Sequence, residues 1–266
     1  MMLTQVTILA MMATGLHSPG WSLTFHDEFD GPAGRAPSQE LWSANVGGDG
    51  WGNNEKESYT KGNANAFLDG KGHLVIEARK EKTKGPDGIM CAYSSARLLT
   101  KGKFSQRYGR IEARIQLPEG KGIWPAFWMM GDNIDSVGWP QCGEIDILES
   151  VDKVVKTAYG TVHGPGYSGQ NAVGGHIDFP SSLSRGFHTY AVEWEPNRIR
   201  WFVDDRRYFT VTPNEIRKQK WVFDQPFFII MNLAIGGYWP GYPDATTQFP
   251  QRMIVDYVRA YKRAEN

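Results

Sequence analysis

The sequence carries no excess of charge of either sign, because 29 Lys and Arg side chains balance 29 Asp and Glu side chains in 266 residues. Proteins that bind nucleic acids or membrane surfaces usually show a basic excess or a run of Lys and Arg, and neither occurs here. Cysteine is also scarce. Cys91 and Cys142 are too few for a disulfide framework or a zinc cluster, and they form either one bridge or two separate buried thiols. We therefore expect an uncharged partner, and neither a nucleic acid nor a membrane.

Long apolar runs are missing as well. Residues 3–16 resemble the short apolar region of a signal peptide and are too short and too polar for a transmembrane helix. We predict that residues 1–18 are an export signal, with a disordered leader as the alternative, and that the protein is secreted. Residues 19–266 contain no Pro/Ser linker, internal repeat or low-complexity stretch, which predicts a single domain, and we expect a monomer.

Helical periodicity is scarce too, and residues 213–218, with Pro213 near a helix start, are the best short candidate. Alternation of apolar and polar side chains, typical of half-buried strands, recurs instead. It occurs in residues 74–80, 110–117, 188–195, 198–203 and 207–211. Phe227–Ile235 is nearly all apolar, as a strand buried on both faces would be. Many strands with glycine-rich turns predict an all-β fold of two packed antiparallel sheets, a β-sandwich or jelly roll.

Aromatic side chains are what the sequence has in abundance: 10 Trp, 11 Tyr and 13 Phe. Several Trp stand beside Gly, Pro or Asn in predicted loops. A flat aromatic face with a polar edge suits the C–H face of a sugar ring. For any single Trp, packing in the core is the competing interpretation.

The most informative segment is Gly143–Ser150, which contains Glu144, Asp146 and Glu149. In a regular strand Glu144 and Asp146 share one face while Glu149 points the opposite way, because side chains alternate. A β-bulge near Ile147–Leu148 would return Glu149 to the face of the other two carboxyl groups and leave the apolar residues facing the core. We predict this bulge because a lone buried carboxylate is costly.

Three acids on one strand face repel one another, so at least one of them should have a raised pKa. Glycoside hydrolysis needs one ionised carboxylate and one carboxylic acid on either side of the scissile bond. The competing interpretations are a solvated acidic strand face and a cation site. An apolar strand flanked by Trp-rich loops is an unusual place for a solvated face.

Glu144–Glu149 resembles the signature of glycoside hydrolase family 16, in its laminarinase-like (endo-β-1,3-glucanase) branch. Similar motifs follow in order along nearly the whole chain after the leader. They are Asp27–Asp30, Trp51–Glu55, Ser95–Leu98, Gly109–Arg114, Trp124–Met129, Val162–Gly164, Phe187–Tyr190 and Asn232–Gly237. A single hexapeptide would be moderately specific, whereas the ordered set is highly specific.

The resemblance implies a concanavalin-like β-jelly roll with a concave cleft that hydrolyses internal β-1,3-glucosidic bonds with retention and without a catalytic cofactor. It implies that Glu144 is the nucleophile, Glu149 the general acid/base, and Asp146 the group that holds the charge balance of the pair. The implied substrate-binding residues are Asn53, Arg97, Trp124, Trp128, His163, Asn232 and Trp239. Glu57 stands where relatives usually carry Gln, which leaves any role of that position open.

A structural calcium on the convex face is also implied, at Glu28, the Gly72 carbonyl and Asp256, whose oxygen atoms are ligands that calcium prefers. The alternative is an ordinary acidic pair that ties the termini together. Competing interpretations of the whole chain are a mixed-linkage β-1,3-1,4-glucanase, a galactan hydrolase, a transglycosylase and a non-catalytic glucan-binding lectin. A lectin would be marked by the loss of one catalytic carboxylate, and both Glu144 and Glu149 are present.

Overall fold

A computed structural model describes residues 20–264, so the predicted leader at residues 1–18 lies outside the described residues. The described chain is almost entirely β-structure with one short helix, α1, at Ile134–Val137. The strands are β1 Trp21–Asp27, β2 Ser43–Asn45, β3 Glu57–Tyr59, β4 Ala66–Leu68, β5 Leu74–Ala78, β6 Thr83–Lys84, β7 Met90–Cys91, β8 Tyr93–Ser95, β9 Arg97–Leu99, β10 Gly109–Gln116, β11 Ile123–Gly131, β12 Glu144–Glu149, β13 Thr157–His163, β14 Val173–Asp178, β15 His188–Glu195, β16 Arg198–Val203, β17 Arg206–Val211, β18 Phe227–Ile235 and β19 Gln251–Arg263. Two 3₁₀ turns, Gly169–Asn171 and Leu183–Arg185, complete the list.

Two antiparallel sheets make up the body of the protein. The outer sheet has the order β17-β16-β15-β10-β19-β5-β4, with β1 also paired to β19, and the inner sheet has the order β14-β13-β12-β11-β18-β9-β2. Two small pairs, parallel β3–β8 and antiparallel β6–β7, lie beside them. The predicted all-β sandwich is confirmed, and its sheets are open rather than closed into a barrel.

The core lies between the sheets because the strands alternate as the sequence pattern predicts. In β10, Ile111, Ala113 and Ile115 are buried against the inner sheet, while the intervening Arg110 and Arg114 are part-exposed. Burying an aliphatic side chain of this size contributes about 1.5–3 kcal/mol, so this one face of β10 already supplies several kcal/mol. Strands β15, β16 and β18 have the predicted bounds, and all nine residues of β18 are buried.

The predicted helix at residues 213–218 is wrong, because the segment forms turns. Arg217 and Lys218 have φ angles of 53° and 64°, in the left-handed region, which no right-handed helix can accommodate. The structure instead places its only described α-helix, α1, in the loop between β11 and β12. This helix is too short and too exposed to span a membrane, and no other described segment offers a membrane-spanning helix.

The two cysteines are separate buried thiols, which decides between the two alternatives that the sequence leaves open. Cys91 Sγ lies 3.5 Å from the carbonyl oxygen of Gly48, whereas Cys142 Sγ lies 3.5 Å from Met130 Sδ. Burial raises the pKa of both thiols, so neither is a ready nucleophile.

The central feature of the fold is a bulge in β12. Opposite β11, Phe127 pairs with Leu148 and the adjacent Trp128 pairs with Asp146, so Ile147 has no counterpart. The register against β13 shifts at the same place, between Asp146 and Glu149. The bulge is therefore where the sequence predicts it. Ile147 and Leu148 are both buried, and Glu149 turns back to the face of Glu144.

A core tryptophan supports the bulge from behind. Trp201 is fully buried, and its Nε1–H donates a 2.7 Å hydrogen bond to the carbonyl oxygen of Asp146. Gly160 on β13 lets this ring come close, because a Cβ at that position would lie 2.3 Å from Trp201 Cδ1. A bulge disrupts the strand ladder locally, and here a side chain from the opposite sheet satisfies a carbonyl beside the bulge.

Trp201→Phe should therefore lower both stability and turnover. It leaves the buried Asp146 carbonyl without its donor, which should lower the free energy of unfolding by about 1–3 kcal/mol. Trp194→Phe is the matched control, because Trp194 Nε1–H donates to the Phe223 carbonyl at 2.8 Å, away from the bulge. Denaturant unfolding should show a similar loss for both variants, while only Trp201→Phe should lower kcat. Equal kcat values in the two variants would contradict this role.

Candidate active site

The inner sheet forms the floor of a cleft of about 880 Å³. Its side chains come from alternate positions of neighbouring strands, such as Trp124, Ala126, Trp128 and Met130 on β11. All the predicted catalytic and substrate-binding residues line this cleft: Asn53, Arg97, Trp124, Trp128, Glu144, Asp146, Glu149, His163, Asn232 and Trp239. The sequence therefore identifies the composition of the site, and the bulge brings its carboxyl groups together.

Glu144 is held by a tryptophan that the sequence does not single out. Trp139 Nε1–H donates to Glu144 Oε2 at 2.7 Å. Burial and the neighbouring Asp146 carboxyl raise the pKa of Glu144 to about 8, while His163 and the Trp139 N–H oppose the rise. The hydrogen bond thus favours the ionised form of Glu144, which is the form that a nucleophile needs.

Glu149 is placed in the same way by Trp124, whose Nε1–H donates to Glu149 Oε1 at 3.0 Å. Burial and the Asp146 carboxyl raise the pKa of Glu149 well above that of an exposed glutamate. The hydrogen bond to Glu149 is longer than the bond to Glu144, and the ion-pair contacts of His163 are with Glu144 and Asp146. Glu149 is therefore better suited than Glu144 to be the protonated carboxyl group.

His163 on β13 faces the acidic strand. Its Nε2 lies 3.1 Å from Asp146 Oδ2 and 3.8 Å from Glu144 Oε1. The first contact is at ion-pair distance without good hydrogen-bond alignment, since Asp146 Oδ2 has no well-aligned donor among the described residues. Burial disfavours the imidazolium, but the carboxyl groups of Asp146, Glu144 and Glu149 outweigh it and raise the pKa of His163 to about 9.

The other nitrogen of His163 limits what this ring can do. The backbone N–H of Gly169 donates to Nδ1 at 3.1 Å, so the neutral ring carries its hydrogen on Nε2, and the imidazolium carries one there as well. Glu144, Asp146 and His163 place potential ligand atoms within 4.8 Å of one another, as a cation site would. Because Nε2 carries the hydrogen, His163 faces the carboxyl groups as a donor rather than as a metal ligand. The geometry therefore favours the acid–base interpretation.

Aromatic rings and an arginine shape one half of the cleft. The Arg97 guanidinium stacks between Trp51 and Trp128, with its Cζ 4.9 Å and 4.8 Å from the two ring centroids. Trp128 Nε1–H donates to Asn232 Oδ1 at 2.7 Å, so this indole offers its face rather than its N–H to the cleft. Asn53 donates through Nδ2 to Glu55 Oε1 at 3.1 Å, and the side-chain oxygen Oδ1 of Asn53 is available to accept a hydrogen bond.

The other half of the cleft is built around Trp239, which is partly exposed. Its ring packs edge-on against Trp124, with the centroids 5.6 Å apart, and against Tyr159 at 5.1 Å. The sequence misses Trp51, Glu55 and Trp139 as cleft residues. The signal available for Trp139 is its position before Pro140 in a loop next to the acidic strand, and Trp51 and Glu55 flank the predicted Asn53.

The predicted calcium ligands lie outside the cleft lining. Arg259 donates hydrogen bonds from Nε and Nη2 to the two carboxylate oxygens of Glu28, at 2.9 Å and 2.7 Å. Arg114 Nη1 donates to Asp256 Oδ2 at 2.5 Å. Gly72 occupies a turn with φ of 84°. Both carboxylates are partly exposed, and each has an arginine as its partner.

Comparison with known proteins agrees with this geometry. The family model "Glycosyl hydrolases family 16" matches residues 35–259. The chain belongs to this family. A β-glucanase of Rhodothermus marinus is 43% identical over 93% of this chain and 87% of its own length. As a family 16 member, the protein is a glycoside hydrolase of a class that needs no cofactor for catalysis.

Solved structures of family 16 laminarinases share the fold throughout. The catalytic domain of an endo-1,3-β-glucanase (laminarinase) from Thermotoga petrophila is 47% identical, with a TM-score of 0.86, over 92% of this chain and 99% of that chain. The endo-β-1,3-glucanase from Pyrococcus furiosus is 46% identical, with a TM-score of 0.87, over 92% and 96% of the two chains. The laminarinase-like branch is thus confirmed by both sequence and structure.

Trp139→Phe should move the acidic limb of the pH–rate profile to higher pH. It removes the N–H that stabilises ionised Glu144, so the pKa of Glu144 rises, and a hydrogen bond to a charged group corresponds to about one to two pH units. Trp124→Phe is the matched control, since it removes the donor to Glu149 and should move the alkaline limb instead. The measurement is kcat/KM against pH for both variants, and an unchanged acidic limb in Trp139→Phe would contradict this role.

Proposed function

We propose that the protein is a retaining endo-glycosidase that hydrolyses internal β-1,3-glucosidic bonds of laminarin-type glucans. The observation that carries the proposal is the bulged strand β12, which presents Glu144 and Glu149 to one cleft, each with a tryptophan N–H on its carboxyl group. Relatives with β-1,3-glucanase activity in their names cover nearly all of this chain and support this linkage.

In the first step, Glu144 attacks the anomeric carbon and forms a glycosyl-enzyme bond. Glu149 donates its proton to the leaving glycosidic oxygen as the C–O bond breaks. The raised pKa of Glu149, caused first by burial and then by Asp146, keeps that proton available near neutral pH. The Trp139 N–H and the nearby His163 oppose the rise in the pKa of Glu144 that burial and Asp146 cause, and so favour the ionised form that attacks.

In the second step, Glu149 is ionised and takes a proton from water. The water attacks the anomeric carbon from the face left by the first sugar, and Glu144 is released as a carboxylate. Asp146 lies between the two glutamates along the strand and contacts His163, so it can balance the charge as the proton leaves and returns. Each step involves only groups of the cleft floor.

The cleft walls suit a neutral polysaccharide. Trp124, Trp128 and Trp239 offer aromatic faces or edges to sugar rings, while Asn53 and Arg97 offer polar atoms to hydroxyl groups. A mixed-linkage β-1,3-1,4-glucanase, a galactan hydrolase or a transglycosylase would use the same carboxyl groups. A glucan-binding lectin is disfavoured because both glutamates are present and held by donors.

Secretion and a monomeric state stay predictions. A polymeric glucan is a substrate that an enzyme meets outside the cell, which supports export. The described residues form one sandwich with its own core, as expected for a single catalytic domain.

Rates on laminarin, mixed-linkage glucan and agarose test the proposed linkage, and two variants test the roles of Glu144 and Glu149.

Glu144→Gln should abolish hydrolysis while retaining folding and oligosaccharide binding. Glu149→Ala should lower turnover of laminarin by about 10²–10⁴-fold, because the leaving group loses its acid. With a substrate whose leaving group needs no acid, added azide should partly restore Glu149→Ala, because a small anion attacks the glycosyl-enzyme without a base. Substantial hydrolysis of laminarin by Glu144→Gln, an α-glycosyl azide as the product of azide rescue of Glu149→Ala, or faster cleavage of agarose than laminarin would contradict the proposal.

A structural calcium at Glu28, Gly72 and Asp256 also stays a prediction. An ion that binds only the folded state raises the melting temperature with its concentration. We expect added calcium to raise the melting temperature and a chelator to lower it, with no change in kcat. Glu28→Gln should abolish the calcium response. A melting temperature that neither calcium nor chelator changes would leave the Arg259 and Arg114 ion pairs as the whole role of these carboxylates.

A further inference from the structure

A second pair of glutamates lies under the cleft, apart from the acidic strand. Glu55 lines the cleft beside Asn53, and Glu57 lies two residues further on, at the start of β3. Glu57 is 0% exposed and Glu55 is 8% exposed. Neither side chain forms an ion pair with a Lys, Arg or His among residues 20–264. Two adjacent buried carboxylates without a cation would be strongly unfavourable.

The contacts of Glu57 show how the pair avoids this cost. Glu57 Oε2 accepts a 2.7 Å hydrogen bond from the backbone N–H of Ile235. Its Oε1 is buried and meets no donor among the described residues, and Glu55 is the neighbouring carboxyl group whose charge acts on it. An ionised Glu57 would therefore be desolvated and repelled, whereas a protonated Glu57 is neutral and has a hydrogen to donate.

The proton belongs to Glu57 because Glu55 already accepts on both oxygens. Asn53 Nδ2–H donates to Glu55 Oε1 at 3.1 Å, and the Tyr59 hydroxyl donates to Oε2 at 3.1 Å. Burial, and then the charge of Glu55, raise the pKa of Glu57 well above that of an exposed glutamate. The same two causes raise the pKa of Tyr59, which keeps its hydroxyl a donor.

A chain of hydrogen bonds runs from this pair to the sugar-facing side chains. The Tyr59 oxygen accepts from Asn232 Nδ2 at 3.1 Å, and Asn232 Oδ1 accepts from Trp128 Nε1 at 2.7 Å. Once Glu55 is an acceptor, each amide and hydroxyl along the chain has only one orientation. Asn53 must turn its NH₂ group, rather than its side-chain oxygen, toward Glu55.

We propose that Glu57 is a neutral carboxylic acid that shares its proton with Glu55, and that this pair is the positioning element for Asn53, Asn232 and Trp128. Glu57 touches no sugar and acts only through Glu55. The amide of a glutamine could make the same two bonds, one donated and one accepted, which agrees with the Gln that the family resemblance places here. The proton-sharing part stands on its own, whereas the orientation of sugar-binding groups rests on the proposed function.

Other titratable groups surround the pair. The pKa of Tyr59 on β3 is raised by burial and then by the charges of Glu55 and Glu57, and the pKa of Cys91 on β7 is raised by burial and then by the charge of Glu57. Arg97 on β9 acts in the opposite direction on Tyr59. Lys56 lies between the two glutamates in sequence, but its Nζ bonds to Asn54 Oδ1 at 2.6 Å. Arg97 is stacked between two tryptophan rings and pairs with no carboxylate among the described residues.

Comparing Glu57→Gln with the wild type across pH tests the shared proton. An unfolded glutamate loses its proton near pH 4.5, whereas the folded pair keeps one, so the folded wild type binds more protons. The folding equilibrium constant of the wild type, divided by that of Glu57→Gln, should therefore fall by about tenfold for each pH unit. The fall should begin near pH 4.5 and end at the pKa of the folded pair. The measurement is denaturant unfolding of both proteins at several pH values. A ratio that does not change with pH would overturn the proposal.

Glu112→Gln is the matched control for this titration. Glu112 is also a buried carboxylate, but Arg110 pairs with it at 2.7 Å in the outer sheet. Because Glu112 has an arginine partner and Glu57 has none among the described residues, the ratio of Glu112→Gln to wild type should not show the tenfold change per pH unit expected for Glu57→Gln. A pH-dependent rise of the same size in both variants would mean that the effect is not specific to the Glu55–Glu57 pair.

Binding of laminari-oligosaccharides in the Glu144→Gln background tests the positioning role. Adding Glu57→Gln should leave the affinity near neutral pH within about twofold, whereas adding Glu57→Met, which cannot donate, should weaken it by roughly threefold to tenfold. Equal affinities for the Gln and Met variants would overturn the positioning role. If no variant binds laminari-oligosaccharides, the proposed function fails, while the unfolding comparison still decides whether the proton is shared.

Discussion

One extra residue in β12 decides which way Glu149 points, and the rest of the site depends on it. Without Ile147 as an unpaired residue, Glu149 would face the hydrophobic core, and Glu144 would share the cleft with Asp146 only. The bulge needs support on its core side, which Trp201 and the missing side chain of Gly160 provide. The hydrogen bond from Trp201 to the Asp146 carbonyl therefore links the packing of the two sheets to the position of the catalytic carboxyl groups.

Tryptophan serves two purposes in this cleft. Its indole N–H groups hold the carboxyl groups of Glu144 and Glu149, and its rings form walls that suit sugars. Because an N–H stabilises a carboxylate, the two indoles also set how firmly each glutamate holds its proton. Beside the walls, Glu55 accepts hydrogen bonds from Asn53 and Tyr59, and Tyr59 accepts one from Asn232, so these contacts orient the polar groups of the cleft.

Much of this organisation could be predicted from the sequence because it follows from alternation and from the cost of burying charge. The bounds of β15, β16 and β18 and the bulge near Ile147 come from such local rules, whereas the substrate-binding residues of the cleft come from the family resemblance. The sequence did not predict the features that depend on loop conformation. The turn at residues 213–218 depends on left-handed backbone angles, and Trp139 reaches Glu144 only because the loop after α1 folds over the cleft.

The central claim is that the bulge lets Glu144 attack the sugar directly. Direct attack requires the two carboxyl groups to lie about 5–5.5 Å apart, which leaves no room for a water between Glu144 and the anomeric carbon. Proton NMR of the first products from a β-1,3-glucan tests this claim most directly. The account predicts that the β-anomer is released first and then mutarotates. An α-anomer released first would mean that Glu144 activates a water, which would contradict the account.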